Sequence, residues 1–246
     1  MLTKKNVLII GGSQGIGNGF VQQLMTQPDV NYIFATYRHS LKQLEGLSTE
    51  KVIPVKVDVT QETDIENAVK TILSRVKDLH LVINCVGILH EKDLQPEKSL
   101  KHLNADNLLH YFRVNTIPTG IWAKHLLPLF KHSDSSVFGI ISAKVGSIED
   151  NHLGGWYGYR MSKAGLNMLI KNISIEYSRV SKSSIVVALH PGTTDTQLSL
   201  PFQKNVPSEK LFSVNLCTQQ LLSVISKLTI KDTGKFFSWD GSHLPF

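Results

Sequence analysis

The stretch that decides the fold is residues 7–17, VLIIGGSQGIG, close to the start of the 246-residue chain. Four apolar residues, three of them β-branched, predict a buried strand, and Gly11, Gly15 and Gly17 follow within seven positions. The segment after them has the apolar spacing of a helix. Glycines let the backbone turn tightly and approach a ligand, while a helix N-terminus offers free N–H groups to an anion. This order of strand, glycine turn and helix predicts a phosphate site for a dinucleotide.

The same alternation continues along the chain. Segments of helical period near residues 16–27, 62–77, 100–130 and 157–180 separate short apolar runs, and helices that alternate with buried strands indicate a parallel sheet. We therefore predict an α/β protein, a single-domain Rossmann fold over residues 1–246, with a doubly wound parallel sheet of about seven strands flanked by helices. The runs interpreted as strands are 7–10, 32–37, 52–57, 81–85, 137–141, 185–189 and 234–239.

Composition and charge narrow the class of partner. Hydrophobic residues make up 41% of the chain and charged residues 19%, which excludes wholesale disorder and fibrous architectures. The formal net charge of +6 could suit an anionic partner. The longest basic run is only Lys4–Lys5, however, and the other cations are interleaved with acids. We therefore expect no nucleic-acid partner and assign the charge to a dinucleotide and to ordinary surface.

Nothing in the sequence indicates export or a membrane. The two cysteines, Cys85 and Cys217, have no metal-ligand spacing, so we expect no disulfide framework and no metal site. The apolar run at the start is too short for a signal peptide. No run approaches the ~20 apolar residues of a membrane span. We expect a cytoplasmic protein with no membrane partner.

Two residues bear on which dinucleotide binds. Tyr37 ends the second apolar run, and Arg38 follows it. A carboxylate at this position accepts the ribose hydroxyls of NAD and repels a 2′-phosphate. Here no acid is available, and a guanidinium can bind a phosphate through two hydrogen bonds. The sequence thus favours NADP(H) over NAD(H), with a solvated loop arginine as the alternative reading of Arg38.

Motifs across nearly the whole chain resemble the short-chain dehydrogenase/reductase family, and residues 234–245 resemble its C-factor-like carbonyl reductase branch. The glycine turn has the family spacing, and Tyr159 and Lys163 match its Tyr-x-x-x-Lys signature. The resemblance implies cofactor contacts for Gly11, Ser13, Gln14, Gly15, Ile16, Gly17, Arg38, Asp58, Val59, Asn84, Tyr159, Lys163, Pro191, Gly192, Thr194 and Thr196.

The residue pair Tyr159 and Lys163 also has chemistry of its own. Residues four apart lie on one face of a helix, so both side chains can reach one site. A phenol has a pKa of ~10, and a cation within a few ångströms lowers a pKa by ~1 to 3 units, which suits a general acid/base. The resemblance implies that Tyr159 protonates a carbonyl oxygen, that Lys163 binds the ribose and lowers the phenol pKa, and that Asn115 anchors a water.

One position departs from the family pattern. The family has a serine hydrogen-bonded to the carbonyl oxygen, and alignment on Val145 and Gly146 places Ala143 there. Ser142 is one residue earlier and should face the other side of its strand, whereas Ser147 lies beyond the turn. Loss of one donor to a developing oxyanion costs about 10² to 10³ in rate. Whether Ser142, Ser147 or a water replaces the hydroxyl stays open.

These residues favour one function and leave two alternatives open. The first is an NADP(H)-dependent oxidoreductase acting on a small-molecule carbonyl or alcohol, admitted beneath a lid near residues 191–213. The alternative is a catalytically weak NADP(H)-binding regulatory or signalling protein, because of Ala143. An isomerase or dehydratase on the same scaffold is a third possibility. The helices near 100–130 and 157–180 resemble the family's subunit-packing pair, which implies a homodimer or homotetramer.

Overall fold

A computed structural model describes residues 4–41, 43–47 and 50–246 of the chain. Seven of its strands form one sheet in the order β3-β2-β1-β4-β5-β6-β9, and every neighbouring pair is parallel. These strands are β1 Lys5–Ile10, β2 Val30–Tyr37, β3 Val52–Lys56, β4 Leu81–Asn84, β5 Ser136–Ile141, β6 Ser184–His190 and β9 Phe236–Ser238. The predicted doubly wound Rossmann sheet is confirmed.

Helices cover both faces of the sheet because its strands are apolar on both. Leu8 and Ile10 belong to the core beneath α2, α4 and α5, whereas Val7 and Ile9 belong to the core beneath α1 and α6. The helices are α1 Gly15–Met25, α2 Glu62–Leu73, α3 Ala105–Asn115, α4 Ile117–Leu126, α5 Tyr157–Val180 and α6 Val214–Lys227. Among the described residues, none of the helices has the length and apolar character needed to span a membrane.

The single helix predicted near 100–130 is wrong. A 3₁₀ turn spans Leu100–His102, and two helices follow, broken at Thr116, where φ is −118° and ψ is −63°. Pro118 has no N–H to donate to a carbonyl one turn earlier, so it is tolerated in the first turn of α4 but would disrupt the interior of one long helix. The break leaves Asn115 at the very end of α3, where its side chain faces α5.

The segment 191–213 is not merely an irregular loop. Strand β7 Thr193–Thr194 pairs in parallel with β8 Leu211–Phe212, and 3₁₀ turns span Leu200–Asn205 and Ser208–Lys210 between them. Two-residue strands leave no alternation pattern, which is why the sequence did not predict them. The pairing closes the segment into a loop with fixed ends.

The sheet order changes direction at β1, which lies between β2 and β4. Connections from the carboxyl ends of these strands therefore leave to opposite sides and open a crevice. Ligands of doubly wound sheets bind in such a crevice. The glycine turn after β1 and Asn84 at the end of β4 both lie there.

Candidate active site

The glycine turn forms an open cradle above β1. Gly11 and Gly15 have φ of +81° and +52°, a region that favours glycine. The backbone N–H of Gly11 donates to the Thr36 hydroxyl at 2.8 Å, which ties the turn to β2. A Cβ on Gly17 would overlap the carbonyl oxygen of Gly11. Helix α1 starts here with no acidic residue in its first turn and no side-chain cap, so its amides are available to an anion.

The other residues of the turn that were predicted to contact the cofactor lie between β1 and the start of α1. Ser13 is half-buried and Gln14 is exposed at the N-cap of α1. Ile16 packs against the core on the α1 side of the sheet. A Cβ added to Gly15 would lie 3.5 Å from the Cγ2 methyl of Thr196, so the first and last predicted motifs meet at this turn.

The end of β2 carries positive charge beside a carboxylate. Arg38 is exposed directly after Tyr37. Burial alone would raise the pKa of Asp58, but hydrogen bonds from the amide and hydroxyl of Thr60, with Arg38 and His39 nearby, hold that pKa below its ordinary value. Asp58 is therefore ionised near neutrality and can accept hydrogen bonds from a ligand. Val59 packs on the core beside it.

Asn84 has a structural role at the end of β4. Its amide donates to the Thr119 hydroxyl at 2.9 Å, and its carbonyl oxygen accepts from the Val86 amide at 3.0 Å. The side chain is 3% exposed. It shapes the turn that leads to Gly87, where an added Cβ would meet the Lys163 ammonium at 3.4 Å. The backbone of this turn thus forms one wall of the site.

Tyr159 lies in the first turn of α5, on the floor of an aromatic cluster. Its ring makes edge contacts with Tyr111 and Trp156 at centroid distances of 6.3 and 6.2 Å. The residue is 7% exposed, and burial raises the pKa of the phenol above its ordinary value. Tyr159 is therefore fully protonated at neutral pH and able to donate a proton.

Lys163 lies one helical turn further on. Its ammonium is 5.9 Å from the centroid of the Tyr159 ring and donates to the carbonyl oxygen of Ile141 at 3.1 Å. Burial lowers the pKa of Lys163 to about 8. The expected lowering of the Tyr159 pKa by Lys163 is absent from this geometry, because the desolvation of the phenol dominates. Both groups are buried, and burial moves their pKa values further apart than in water, raising that of the phenol and lowering that of the ammonium.

Asn115 closes the third side of the site from the end of α3. Its carbonyl oxygen accepts from the Ile88 amide at 2.7 Å, and its amide donates to the Ile88 carbonyl and to the Ser162 hydroxyl, both at 3.0 Å. These bonds tie the β4 turn to α5 between Tyr159 and Lys163. The structure thus brings together all three residues predicted to be catalytic.

The structure shows which groups the side chains of Ala143, Ser142 and Ser147 contact. Ala143 packs against the cluster that contains Tyr159, so its methyl group stands where the expected hydroxyl would be. The Ser142 hydroxyl donates to the Asn167 side chain at 2.6 Å, and the Ser147 hydroxyl accepts from the Asp150 amide at 3.2 Å. The Ser142 proton is thus committed to Asn167, and among the described residues neither hydroxyl is bonded to Tyr159.

The 191–196 segment turns back over the sheet edge. Gly192 has φ of +69°, and an added Cβ would approach the Phe212 ring to 2.6 Å. The Thr194 hydroxyl donates to the Pro191 carbonyl at 3.2 Å, which holds the turn closed. Beyond Thr196, Leu198 and Phe202 pack on the Tyr159 cluster. The aromatic ring of Phe202 lies 5.0 Å from that of Trp156.

Two residues of the site had no role in the sequence prediction. Trp156 has φ of +51° directly after Gly154 and Gly155, both at +64°, so three left-handed residues turn the chain into α5. Glu97 is 2% exposed beneath that turn. The paired glycines were a signal for the turn. Nothing in the sequence distinguishes Glu97 from the other acids, because its burial depends on tertiary packing.

One cluster of metal-ligand residue types occurs among the described residues. His80, His132 and Asp134 offer ligand atoms within 4.8 Å of one another, at the opposite edge of the sheet from Tyr159. Nδ1 of His80 accepts from the Asn6 amide at 3.2 Å, so the neutral ring keeps its proton on Nε2, which faces Asp134 at 3.6 Å. A metal would have to displace that proton. We assign a polar contact cluster rather than a metal site.

His190, at the end of β6, makes stability depend on pH. Its Nδ1 accepts from the Lys144 amide at 3.3 Å, and burial, with the Lys144 cation nearby, lowers the pKa of His190 from 6.5 to about 4. The folded state thus holds the neutral ring, whereas the unfolded chain takes up a proton near 6.5. The stabilisation is full above pH 6.5 and is lost as the pH falls towards 4.

We expect the fall of Tm between about pH 7.5 and about pH 4.5 to be smaller in His190→Asn, whose amide oxygen can still accept from Lys144. His152→Asn, at an exposed histidine, is the matched control and should follow the wild type. Equal pH slopes for wild type and His190→Asn would refute this assignment. Thermal unfolding followed by circular dichroism provides the measurement.

Comparison with known proteins identifies the family of the chain. A family model described as short chain dehydrogenase matches residues 5–206, well over half of the chain. The chain belongs to the short chain dehydrogenase family. It is an oxidoreductase by that membership.

Individual relatives are similar to this chain over nearly its full length. A 1-hydroxy-2-glutathionyl-2-methyl-3-butene dehydrogenase of Rhodococcus sp. (strain AD45) is 26% identical over 97% of this chain and 98% of that protein. The structure of an NADPH-bound carbonyl reductase from chicken fatty liver is 28% identical, covers 100% of both chains and has a TM-score of 0.88. Carbonyl reductase Sniffer of D. melanogaster is 26% identical over 99% of this chain and 100% of its own, with a TM-score of 0.87.

The branch resemblance is also confirmed. The C-signal protein of Myxococcus xanthus is 31% identical over 106 residues, which cover 43% of this chain and 58% of that protein. Together with the two carbonyl reductase structures, this similarity agrees with the resemblance to the C-factor-like branch.

Proposed function

We propose that the protein is an NADPH-dependent carbonyl reductase in which Tyr159 is the general acid. The observation that carries this proposal is the buried pair of Tyr159 and Lys163 in the crevice that opens onto the glycine cradle. Purified protein mixed with NADPH and a panel of ketones and aldehydes tests it. Carbonyl-dependent consumption of NADPH is expected, and no consumption with any member of the panel would contradict the proposal.

The residues present fit NADP(H). A side chain at Gly17 would collide with the Gly11 carbonyl and distort the cradle, and the first turn of α1 carries no acid, as a pyrophosphate requires. Asp58 is ionised for contacts with the adenosine, and exposed Arg38 supplies charge for a 2′-phosphate. Among similar proteins, the chicken carbonyl reductase was solved with NADPH. When bound, the dinucleotide supplies the hydride.

Proton donation, reprotonation and positioning are assigned to three residues of the chain. Tyr159 is protonated at neutral pH, as its raised pKa requires, and donates that proton from the phenol to the carbonyl oxygen as negative charge develops there. Lys163, with a pKa of about 8, is the nearby group that can restore the proton. Asn115 fixes the β4 turn against α5 and so keeps the two groups in register. The apolar side chains packed around Tyr159 exclude water from the site.

The side chains around Tyr159 indicate the class of substrate. Ala143, Val145, Trp156, Leu198 and Phe202 all pack on the Tyr159 cluster, and none carries a charge. We therefore propose an uncharged, apolar carbonyl compound, or its alcohol in the reverse direction. Residues 191–213 act as its lid, since Leu198 and Phe202 lie over Tyr159 while β7 and β8 hold the two ends.

A second candidate function rests on Ala143. Without a hydroxyl at that position, the carbonyl oxygen receives one protein donor instead of two, and the barrier rises accordingly. A protein that binds NADP(H) and turns over slowly would suit a regulatory or signalling role. Wild-type turnover that disappears in Tyr159→Phe would exclude it.

We also propose that the chain self-associates through α5. Met161, Met168 and Ile175 recur every seven residues along that helix and are 47%, 63% and 44% exposed. Residues seven apart lie on one helix face. An exposed apolar stripe of this kind suits a homodimer or homotetramer.

Cofactor preference can be measured at Arg38. Arg38→Asp is expected to weaken NADPH binding by about 10² or more, because it exchanges a favourable charge for a repulsive one at the 2′-phosphate. NADH lacks that phosphate, so its affinity should change by less than about threefold. Fluorescence titration with each dinucleotide provides both dissociation constants.

Arg75→Asp is the matched control for that change. Arg75 is exposed just after α2, at the opposite edge of the sheet from the glycine cradle, and the substitution alters net charge equally. It should leave both affinities near the wild-type values. Equal weakening of NADPH and NADH by Arg38→Asp would rule out the phosphate role.

A further inference from the structure

Helix α5 begins without the usual devices that stabilise a helix N-terminus. Its N-cap residue is Trp156, in the left-handed conformation, whose side chain caps nothing, and its first turn contains no acidic residue. The first N–H groups of a helix have no partner inside it and need an acceptor from elsewhere. Tyr159 belongs to this first turn, so whatever satisfies the turn also fixes the position of the phenol.

Glu97 provides that acceptor from the loop between β4 and α3. Its carboxylate Oε2 accepts from the Gly158 amide at 3.1 Å, and its backbone carbonyl accepts from the Trp156 amide at 2.5 Å. The residue is 2% exposed. One residue from a distant segment thus binds the chain on both sides of Tyr157, directly before Tyr159.

The surroundings are shaped for this carboxylate. A Cβ on Gly158 would lie 3.0 Å from Oε1 of Glu97 and would overlap the ring of Tyr111, so only glycine leaves room for the contact. Oε1 has no hydrogen-bond partner among the described residues. A buried carboxylate retained with one oxygen unpaired is costly for the fold. Its negative charge lies at the positive end of α5, where it is stabilised.

From this geometry we propose that Glu97 is a positioning residue for the reaction: it caps α5 from the β4–α3 loop and sets the place of the Tyr159 phenol. The proposal rests on the proposed role of Tyr159. Glu97 itself touches neither substrate nor the reacting atoms. A displacement of a catalytic group by about 1 Å can cost 10²-fold in rate, so a lost cap should lower kcat.

The test uses three changes at Glu97 in the full chain. Glu97→Ala removes the acceptor, Glu97→Asp keeps the charge but withdraws the carboxylate by one methylene, and Glu97→Gln keeps an acceptor at full length. Glu91→Ala is the matched control, since Glu91 lies in the same loop, its side chain is 40% exposed, and its carboxylate pairs with His110 at the surface. Two readouts are needed: kcat and KM, and hydrogen exchange of the peptide covering residues 156–163.

We expect Glu97→Ala and Glu97→Asp to speed exchange in residues 156–163 and to lower kcat by about 10- to 100-fold. The KM for NADPH should stay within about twofold, because the cofactor cradle lies on α1. Glu97→Gln should restore both readouts to near wild-type values, and Glu91→Ala should change neither. If Glu97→Ala does not fold, the comparison of the Asp and Gln variants carries the test.

Unchanged exchange in Glu97→Asp and Glu97→Ala would overturn the cap. Faster exchange with unchanged kcat would overturn the positioning role. A wild type that reduces no carbonyl compound would instead contradict the proposed function, while exchange, which needs no turnover, would still decide whether Glu97 caps α5.

Discussion

Tyr159→Phe is expected to lower kcat for carbonyl reduction by about 10² to 10⁴, the range that a general acid contributes. The change removes one oxygen atom from a ring that is packed between Tyr111 and Trp156, and that oxygen makes no hydrogen bond to any of the described residues. The core contacts therefore stay, and only the proton donor is lost. Steady-state oxidation of NADPH with a reactive aldehyde gives the rate.

Binding supplies the control for this variant. The affinity of Tyr159→Phe for NADPH should stay within about threefold of the wild type, because Lys163 and the glycine cradle are untouched. Tyr111→Phe is the matched substitution, since Tyr111 donates its hydroxyl to the Leu89 carbonyl, away from the reacting atoms. If Tyr159→Phe keeps the wild-type kcat, another group donates the proton and the assignment is wrong.

Ala143→Ser is expected to raise kcat by at least about tenfold, towards the 10² to 10³ that one oxyanion donor contributes. Ala143 has extended backbone angles, φ −147° and ψ 141°, which serine adopts without strain. Its side chain already faces the Tyr159 cluster, so the new hydroxyl would stand beside the carbonyl oxygen. The same NADPH assay measures the gain.

Two further variants make that result specific. Ala143→Ser combined with Tyr159→Phe should lose the gain, because the hydroxyl assists a proton transfer that Tyr159 performs. Ser142→Ala should give no gain, since Ser142 bonds to Asn167 on the far side of the strand. An Ala143→Ser variant no faster than the wild type would mean that another donor already occupies this position.

The sheet and the cofactor end could be predicted because their signals are local. The apolar run before Gly11 and the glycines after it specify strand, turn and helix within a few residues. Likewise, Tyr159 and Lys163 are four apart on one helix, so their proximity follows from helix geometry. The strand that ends at Tyr37 placed Arg38 at the same edge.

What the sequence did not reveal depends on tertiary packing. Whether Ser142 or Ser147 could replace the missing hydroxyl was undecided until their partners, Asn167 and Asp150, were located. The break at Thr116 is not visible in the apolar pattern, which continues across it. The raised pKa of Tyr159 likewise follows from burial, to which Leu198 and Phe202 contribute from a distant part of the chain.

The most direct measurement is the transfer of deuterium from NADPH labelled at the nicotinamide hydride position. We expect the wild type to deliver the label to the carbonyl carbon of an apolar ketone or aldehyde, so that mass spectrometry finds it in the alcohol product. Tyr159→Phe, which should still bind labelled NADPH, is expected to deliver far less in the same time. Tight binding of NADPH by the wild type with no label in any product would contradict carbonyl reduction and favour the regulatory function instead.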